Sequence, residues 1–285
     1  MEQKDLSRKV YPSDLTDEPW AIVAPMIPPA KQSPRGGRPR EVDMRAVLNT
    51  IFSLNRSGCQ WDMLPHDLLP KSPVSDDFAQ GRDDGTWAKM VKALRERTRV
   101  EAGREPTPSA ACIDSQSVKT TAIGGPERGE DGGKTITGRT RHLLVDTLGV
   151  LIAVLMTSAG LDDGVAAPLL LGHVQAHDVP RLVTILADAK YPNHALEAWL
   201  AAPRAGWHLE VQTRPEGTKG FTPLEKRWGV ARTNAWNGRP RRNRKDYERS
   251  VESSPAMIQI INIHLMLHKL NPCGCSEFHY RKNAA

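Results

Sequence analysis

The sequence predicts an α/β chain, a mixed sheet with flanking helices preceded by a small all-helical N-terminal domain. Three observations point there. The first hundred of its 285 residues place apolar side chains at helical spacing in short stretches broken by Pro and Gly. After Arg104-Glu-Pro-Thr-Pro-Ser109 the apolar residues gather instead into strand-length runs. Those runs then alternate with helical patterns, in the order strand, hairpin, helix, strand, helix, strand, helix, which describes a sheet with helices packed on it.

Each element has its own signal. Thr16 precedes DEPWAIVAPMI as an N-cap with acids in the first turn, and Pro28-Pro29 ends that helix. EVDMRAVLNTIFSLNRSG repeats apolar residues at Val42, Ala46, Val47, Ile51 and Leu54 and stops at Gly58. TWAKMVKALRERTRVEAG repeats the pattern. Strands are expected over 109–118, 141–149 and 150–159, the last two joined as a hairpin at Thr147-Leu-Gly149. A helix over 164–176 tolerates Pro168 if it sits in the first turn. A strand over 181–188, a helix over 194–205, a strand over 207–213, a helix through PLEKRWGVARTNAW and a long helix over 254–270 complete the chain. The expected organisation is a helical N-terminal domain (1–103), a linker (104–109), the sheet domain (110–271) and a polar tail (272–285).

Composition is that of a globular protein, 39% hydrophobic and 25% charged. No run approaches the ~20 apolar residues of a membrane span, and MEQKDLSRKV lacks a signal peptide's apolar stretch, so a cytoplasmic location is expected. Four cysteines make no disulfide framework, and Cys273 and Cys275 form one close thiol pair where a zinc site needs two. The net charge of +6 is mild, but it is concentrated: residues 226–249 hold nine Lys or Arg against two acids. Such clustering suits a polyanion, though a solvated basic face would look the same.

Two apolar strands end alike, Ala-Ala-Cys-Ile-Asp114 and Thr-Ile-Leu-Ala-Asp188. A strand that delivers a carboxylate holds it rigidly, and on neighbouring strands the two carboxylates converge. Carboxylate oxygens suit Mg²⁺ or Mn²⁺, and a pair of such ions about 3.5–4 Å apart activates an attacking oxygen and stabilises a leaving one at a phosphodiester. The plainer reading is that each Asp starts a turn or caps a helix. The glycine-rich segment 120–142 reads as a loop from which Lys134, Arg139, Arg141 and His142 reach phosphates, or equally as a solvated hairpin.

DSQSVKTTAIGGPERGEDGGKTITGRTRHLLVDTLGVLIAVL, TILADAKY and RWGVARTNAW…RRNRKDYERS resemble the central and C-terminal blocks of bacterial insertion-sequence transposases of the insertion-sequence 5 family. LTDEPWAIVAPMIPP, GRPREVDMRAVLNTIFSLNRSGCQWDMLPHD and RDDGTWAKMVKALR are similar to the family's helical N-terminal region, so the likeness covers nearly all of 13–270. It implies an RNase-H-like catalytic core with a DDE triad, metal-dependent phosphodiester cleavage and strand transfer at element ends, and Mg²⁺ or Mn²⁺ as cofactor. The implied partners are double-stranded DNA (terminal inverted repeats and target), with a homodimer bringing two ends together and no membrane. Asp114 and Asp188 match the first two catalytic, metal-binding aspartates. Arg232, Arg239, Arg241, Arg242 and Lys245 are expected on phosphates, with Lys134, Arg139 and His142 positioning DNA near the metals.

The third member departs. Where the family has Val-Val-Glu-Arg-Thr, this chain has Gly229-Val230-Ala231-Arg232-Thr233, which puts Ala231 in place of the Glu. Ala189-Lys190-Tyr191, the polar stretch 71–81 and the Cys-containing tail also depart from the pattern. Glu225 points about 120° away from Ala231 on one helix, and Asp246 and Glu248 lie beyond Pro240. Leu224, Trp228, Ala231 and Ala235 fall on one apolar face, expected to pack on the sheet. The resemblance therefore implies a transposase impaired in catalysis, or alternatively a catalytically inactive, transposase-derived DNA-binding protein.

Overall fold

A computed structural model of the chain describes residues 8–29, 42–122, 124–202, 206–213 and 228–271. Leu224, Glu225 and the Cys273/Cys275 pair lie outside the described residues.

Four helices come first: α1 (Asp17–Val23), α2 (Met44–Ser57), α3 (Lys71–Asp83) and α4 (Thr86–Glu101). Asp43 caps α2 by accepting from the Arg45 N–H, and Gly58 ends it in a left-handed conformation, φ 73°, that a side chain would disfavour. Thr16 sits at the start of α1 without a side-chain cap, its hydroxyl turned to Glu18. The stretch 71–81 is helical, and its Gly81 lies flat against the Trp87 ring of α4.

The sheet contains β1 (Ala110–Lys119), β2 (Gly129–Asp131), β3 (Ile136–Asp146), β4 (Leu151–Ser158), β5 (Thr184–Ala187) and β6 (His208–Val211). Its order is β2-β3-β1-β5-β6, with β4 also on β3. β1 runs antiparallel to β3 and parallel to β5, and β5 runs parallel to β6, so the sheet is mixed. The glycine-rich segment is less of a loop than its composition predicts, since β2 and the first residues of β3 pair within it. The β3–β4 hairpin turns where expected. Asp146 builds the turn by accepting from the Leu148 and Val150 N–H groups, and Arg99 of α4 neutralises its buried carboxylate.

Helices α5 (Asp163–Gly172) and α6 (His194–Ala201) cover one face of the sheet. Pro168 lies inside α5 rather than in its first turn. The opposite face meets α7 (Trp228–Asn237), α8 (Ser253–Leu270) and the N-terminal helices in one continuous core. That core runs from Val47, Leu48 and Leu94 through Cys112 and Leu143 to Ile260 and Met266. The N-terminal helices and the sheet are thus not packed as separate bodies; α8 lies between them and contributes to both.

Candidate metal centre

The two aspartates owe their position to strand register. Ala110 pairs with Thr184 and Cys112 with Leu186. Asp114 lies two residues further along β1, and Asp188 directly follows the last residue of β5. Side chains alternate across a strand. Cys112 points into the larger core, so Asp114, two residues on within β1, lies on that face, where Asn234 of the helix above donates to it. Asp188, one residue beyond β5, also starts a turn: its Oδ1 accepts from the Lys190 N–H at 2.9 Å. Asp188 thus has the turn-starting role of the plainer reading.

Helix α7 lies on the same face. Val230, Thr233 and Asn237 are its buried stripe, and the Thr233 hydroxyl donates to the Gly149 carbonyl at 2.6 Å. Trp228, Ala231 and Ala235, expected to pack on the sheet, are exposed instead. The helix is only weakly amphipathic, so its apolar residues did not mark the packed side. Asn234 stands at the edge of the buried stripe, and its Nδ2 donates to Asp114 Oδ2 at 2.8 Å. Ala231 lies one turn earlier and about 60° further outward on the same helix.

The basic residues divide by burial. Arg139 is fully buried; it pairs with Asp246 at 2.7 Å and donates to the carbonyls of Pro126, Glu248 and Arg249. Arg141 is buried on the carbonyls of Asn243 and Lys245, and burial lowers its pKa to about 10. Arg242 is buried between Glu248 and the Cys59 carbonyl. These three tie segment 242–249 to β3 and to α2, and their donors are committed to the protein. The expectation that Arg139, Arg141 and Arg242 grip phosphates is corrected accordingly. His142 is also buried; its Nε2 meets the Thr157 hydroxyl, and burial pushes its pKa down to about 4. It too is no surface contact. Arg232 is partly buried, donates to the Leu148 carbonyl, and lies between the Trp228 and Trp236 rings at 4.2 and 4.5 Å from their centroids. Lys134, Arg239, Arg241 and Lys245 remain exposed, as do Arg244 and Arg249.

Three features escaped the sequence. Asn234 could have been found as the one polar residue a turn beyond Ala231. Tyr191, three residues after Asp188, is buried with its hydroxyl near Ser115. Burial raises its pKa well above the ordinary value, and the charges of Asp114, Asp163 and Asp188 push the same way. Finally, a cavity of about 310 Å³ opens beside the end of β1, lined by Lys119, Arg128 and several threonines.

The donor types suit a hard divalent cation: carboxylates on β1 and just beyond its parallel neighbour β5, and a shielded amide oxygen, Asn234 Oδ1, that has no hydrogen-bond partner. Among the described residues no three His, Cys, Asp or Glu side chains converge on one point, and no helix is long and apolar enough to cross a membrane.

Comparison with known proteins agrees with this architecture. Residues 15–91 match the model of a transposase family of the IS4/5 group, DUF4096, and residues 105–266 match the transposase DDE domain. The chain is 28% identical over 114 residues to the insertion element IS402 uncharacterized 16.2 kDa protein of Burkholderia cepacia, covering 39% of this chain and 76% of that protein. No solved structure matches. DDE transposase domains use divalent metal ions and act on DNA, and a family model spanning more than half of this sheet-and-helix chain leaves one conclusion: it belongs to the DDE transposases of insertion sequences.

Proposed function

We propose that the chain binds the ends of its insertion element as double-stranded DNA and cleaves and joins strands slowly, using Mg²⁺ or Mn²⁺ held by Asp114 and Asp188. The observation that supports this reading is the parallel pairing of β1 with β5, because Asp114 lies on the first strand and Asp188 directly follows the second. The bound cation supplies Lewis acidity at the phosphodiester and makes a water or 3′-hydroxyl more nucleophilic. The protein's own part is to supply the two carboxylates from β1 and from the end of β5; in the metal-free chain Asn234 donates to Asp114.

Ala231, exposed at the edge of α7, brings no carboxylate to this face. Loss of one anionic ligand worth a few kcal/mol at the transition state slows the reaction about 10²- to 10³-fold. DNA is gripped by the exposed cations Arg239, Arg241, Arg244, Lys245 and Arg249, with Lys134 near the β2–β3 turn. The cavity at Lys119 and Arg128 extends this surface. Five residues of β1 separate it from Asp114, about 17 Å, or roughly five base pairs of duplex. A homodimer bringing two ends together belongs to the same reading.

Strand cleavage and DNA binding are the paired test. Asp114→Asn and Asp188→Asn are expected to remove the residual Mn²⁺-dependent cleavage while leaving DNA affinity within about twofold. Cleavage that survives both substitutions would refute the reading. Absence of cleavage in the native chain, with tight salt-sensitive DNA binding, would favour the alternative of an inactive DNA-binding derivative.

A further inference from the structure

We propose that the side-chain amide oxygen of Asn234 is a third protein ligand for the divalent cation in this chain, in place of the carboxylate that position 231 lacks. This rests on the reading of Asp114 and Asp188 as metal ligands.

Two observations meet at Asn234. Its Nδ2 donates to Asp114 Oδ2 at 2.8 Å, and its Oδ1 is shielded from solvent with no hydrogen-bond partner. A shielded carbonyl oxygen with nothing to accept from costs about 1–3 kcal/mol, so only the bond to Asp114 holds the amide in this orientation. Turning the amide by half a rotation about its terminal torsion exchanges nitrogen and oxygen and brings Oδ1 to the side of Asp114. Without a cation the donor orientation wins, because a carbonyl oxygen facing a carboxylate is repelled. With a cation the preference reverses, since both oxygens then bind one positive centre.

The spacing supports this. Two oxygens on neighbouring vertices of an octahedral Mg²⁺ site, each ~2.1 Å from the ion, lie about 3.0 Å apart. The Asn234–Asp114 separation already has that length. Side-chain amide carbonyls are accepted ligands for hard cations. Position also fits: Asn234 is ~4.5 Å along the helix from Ala231 and about 60° around it, so the ligand has moved by less than a turn. An amide is neutral, so it holds the ion without adding the negative charge that a glutamate would bring.

The test is Mn²⁺ binding by the full chain without DNA, followed by the electron paramagnetic resonance signal of free Mn²⁺, with thermal unfolding alongside. Asn234→Ala is expected to weaken Mn²⁺ binding about tenfold. Asn234→Asp is expected to tighten it beyond the native chain, while lowering the metal-free melting temperature because two carboxylates then face each other, and Mn²⁺ should restore that loss. If Asn234→Asp weakens Mn²⁺ as Asn234→Ala does, the residue only orients Asp114 by donating to it, and the proposal fails. Unchanged affinity in Asn234→Ala overturns it as well. If Asp114→Asn and Asp188→Asn also bind Mn²⁺ unchanged, the fault lies in the metal reading itself and both fall together.

Discussion

An arginine in a basic run can serve the surface or the interior, and residue type alone does not say which. RRNRKDYER holds both kinds within a few positions. Arg241, Arg244 and Lys245 are exposed, whereas Arg242 is buried on Glu248 and Cys59. The buried set is illegible in the sequence because its partners, Asp246 for Arg139 and the carbonyls of 243 and 245 for Arg141, lie a hundred residues away. The two roles separate by experiment. Arg139→Ala leaves Asp246 buried and uncompensated and should cost about 3–5 kcal/mol in urea unfolding. Arg241→Ala should change stability by less than ~0.5 kcal/mol and lower DNA affinity instead. His142 adds a pH dependence of definite sign. Its folded pKa is depressed from 6.5 to about 4, so above 6.5 it is neutral in both states. As pH falls through that window only the unfolded chain takes up the proton, and stability drops by about 1.4 kcal/mol per pH unit. Chemical unfolding at several pH values should show this slope between pH 6.5 and 4, reduced in His142→Gln.

At the scale of elements, periodicity made most of the chain legible. The hairpin at 147–149, the strands that deliver Asp114 and Asp188, and α2 with its Gly58 stop all follow from local signals. Strand order does not, because the β1–β5 pairing joins segments about seventy residues apart and leaves no local trace. The packed side of α7 was misread for a related reason. Its contact with the sheet is made by small and polar residues, Gly229 against the 146–149 turn and Thr233 on the Gly149 carbonyl, while its tryptophans flank Arg232 on the outside. This close approach is testable. Gly149 has φ 71°, and a Cβ there would lie 2.8 Å from both the Gly229 carbonyl and the Thr233 hydroxyl. Gly149→Ala should therefore destabilise by about 1–3 kcal/mol. By lifting α7 it should also weaken Mn²⁺ binding, measured as for the Asn234 variants.

For the molecule as a whole, the charge distribution outweighs the net charge of +6. Exposed cations on segment 239–249 and Lys119 at the end of β1 lie next to each other through the Thr120–Asp246 bridge. Binding to duplex DNA should weaken steeply with salt, and each exposed cation removed from this surface should reduce the slope of log K against log salt by about one. Removing Arg242 should not change it. The shared core matters here too, since α8 packs on both α4 and β4 and so joins the N-terminal helices to the sheet. The proposed function is that of a DNA-cleaving centre short of one carboxylate. The most direct measurement is Mn²⁺-dependent cleavage of the element's own terminal repeats by the native chain and by Ala231→Glu, side by side. The account predicts slow native cleavage and a rate at least ~10²-fold higher in Ala231→Glu. Native cleavage that is already fast, and that Ala231→Glu does not accelerate, would contradict it.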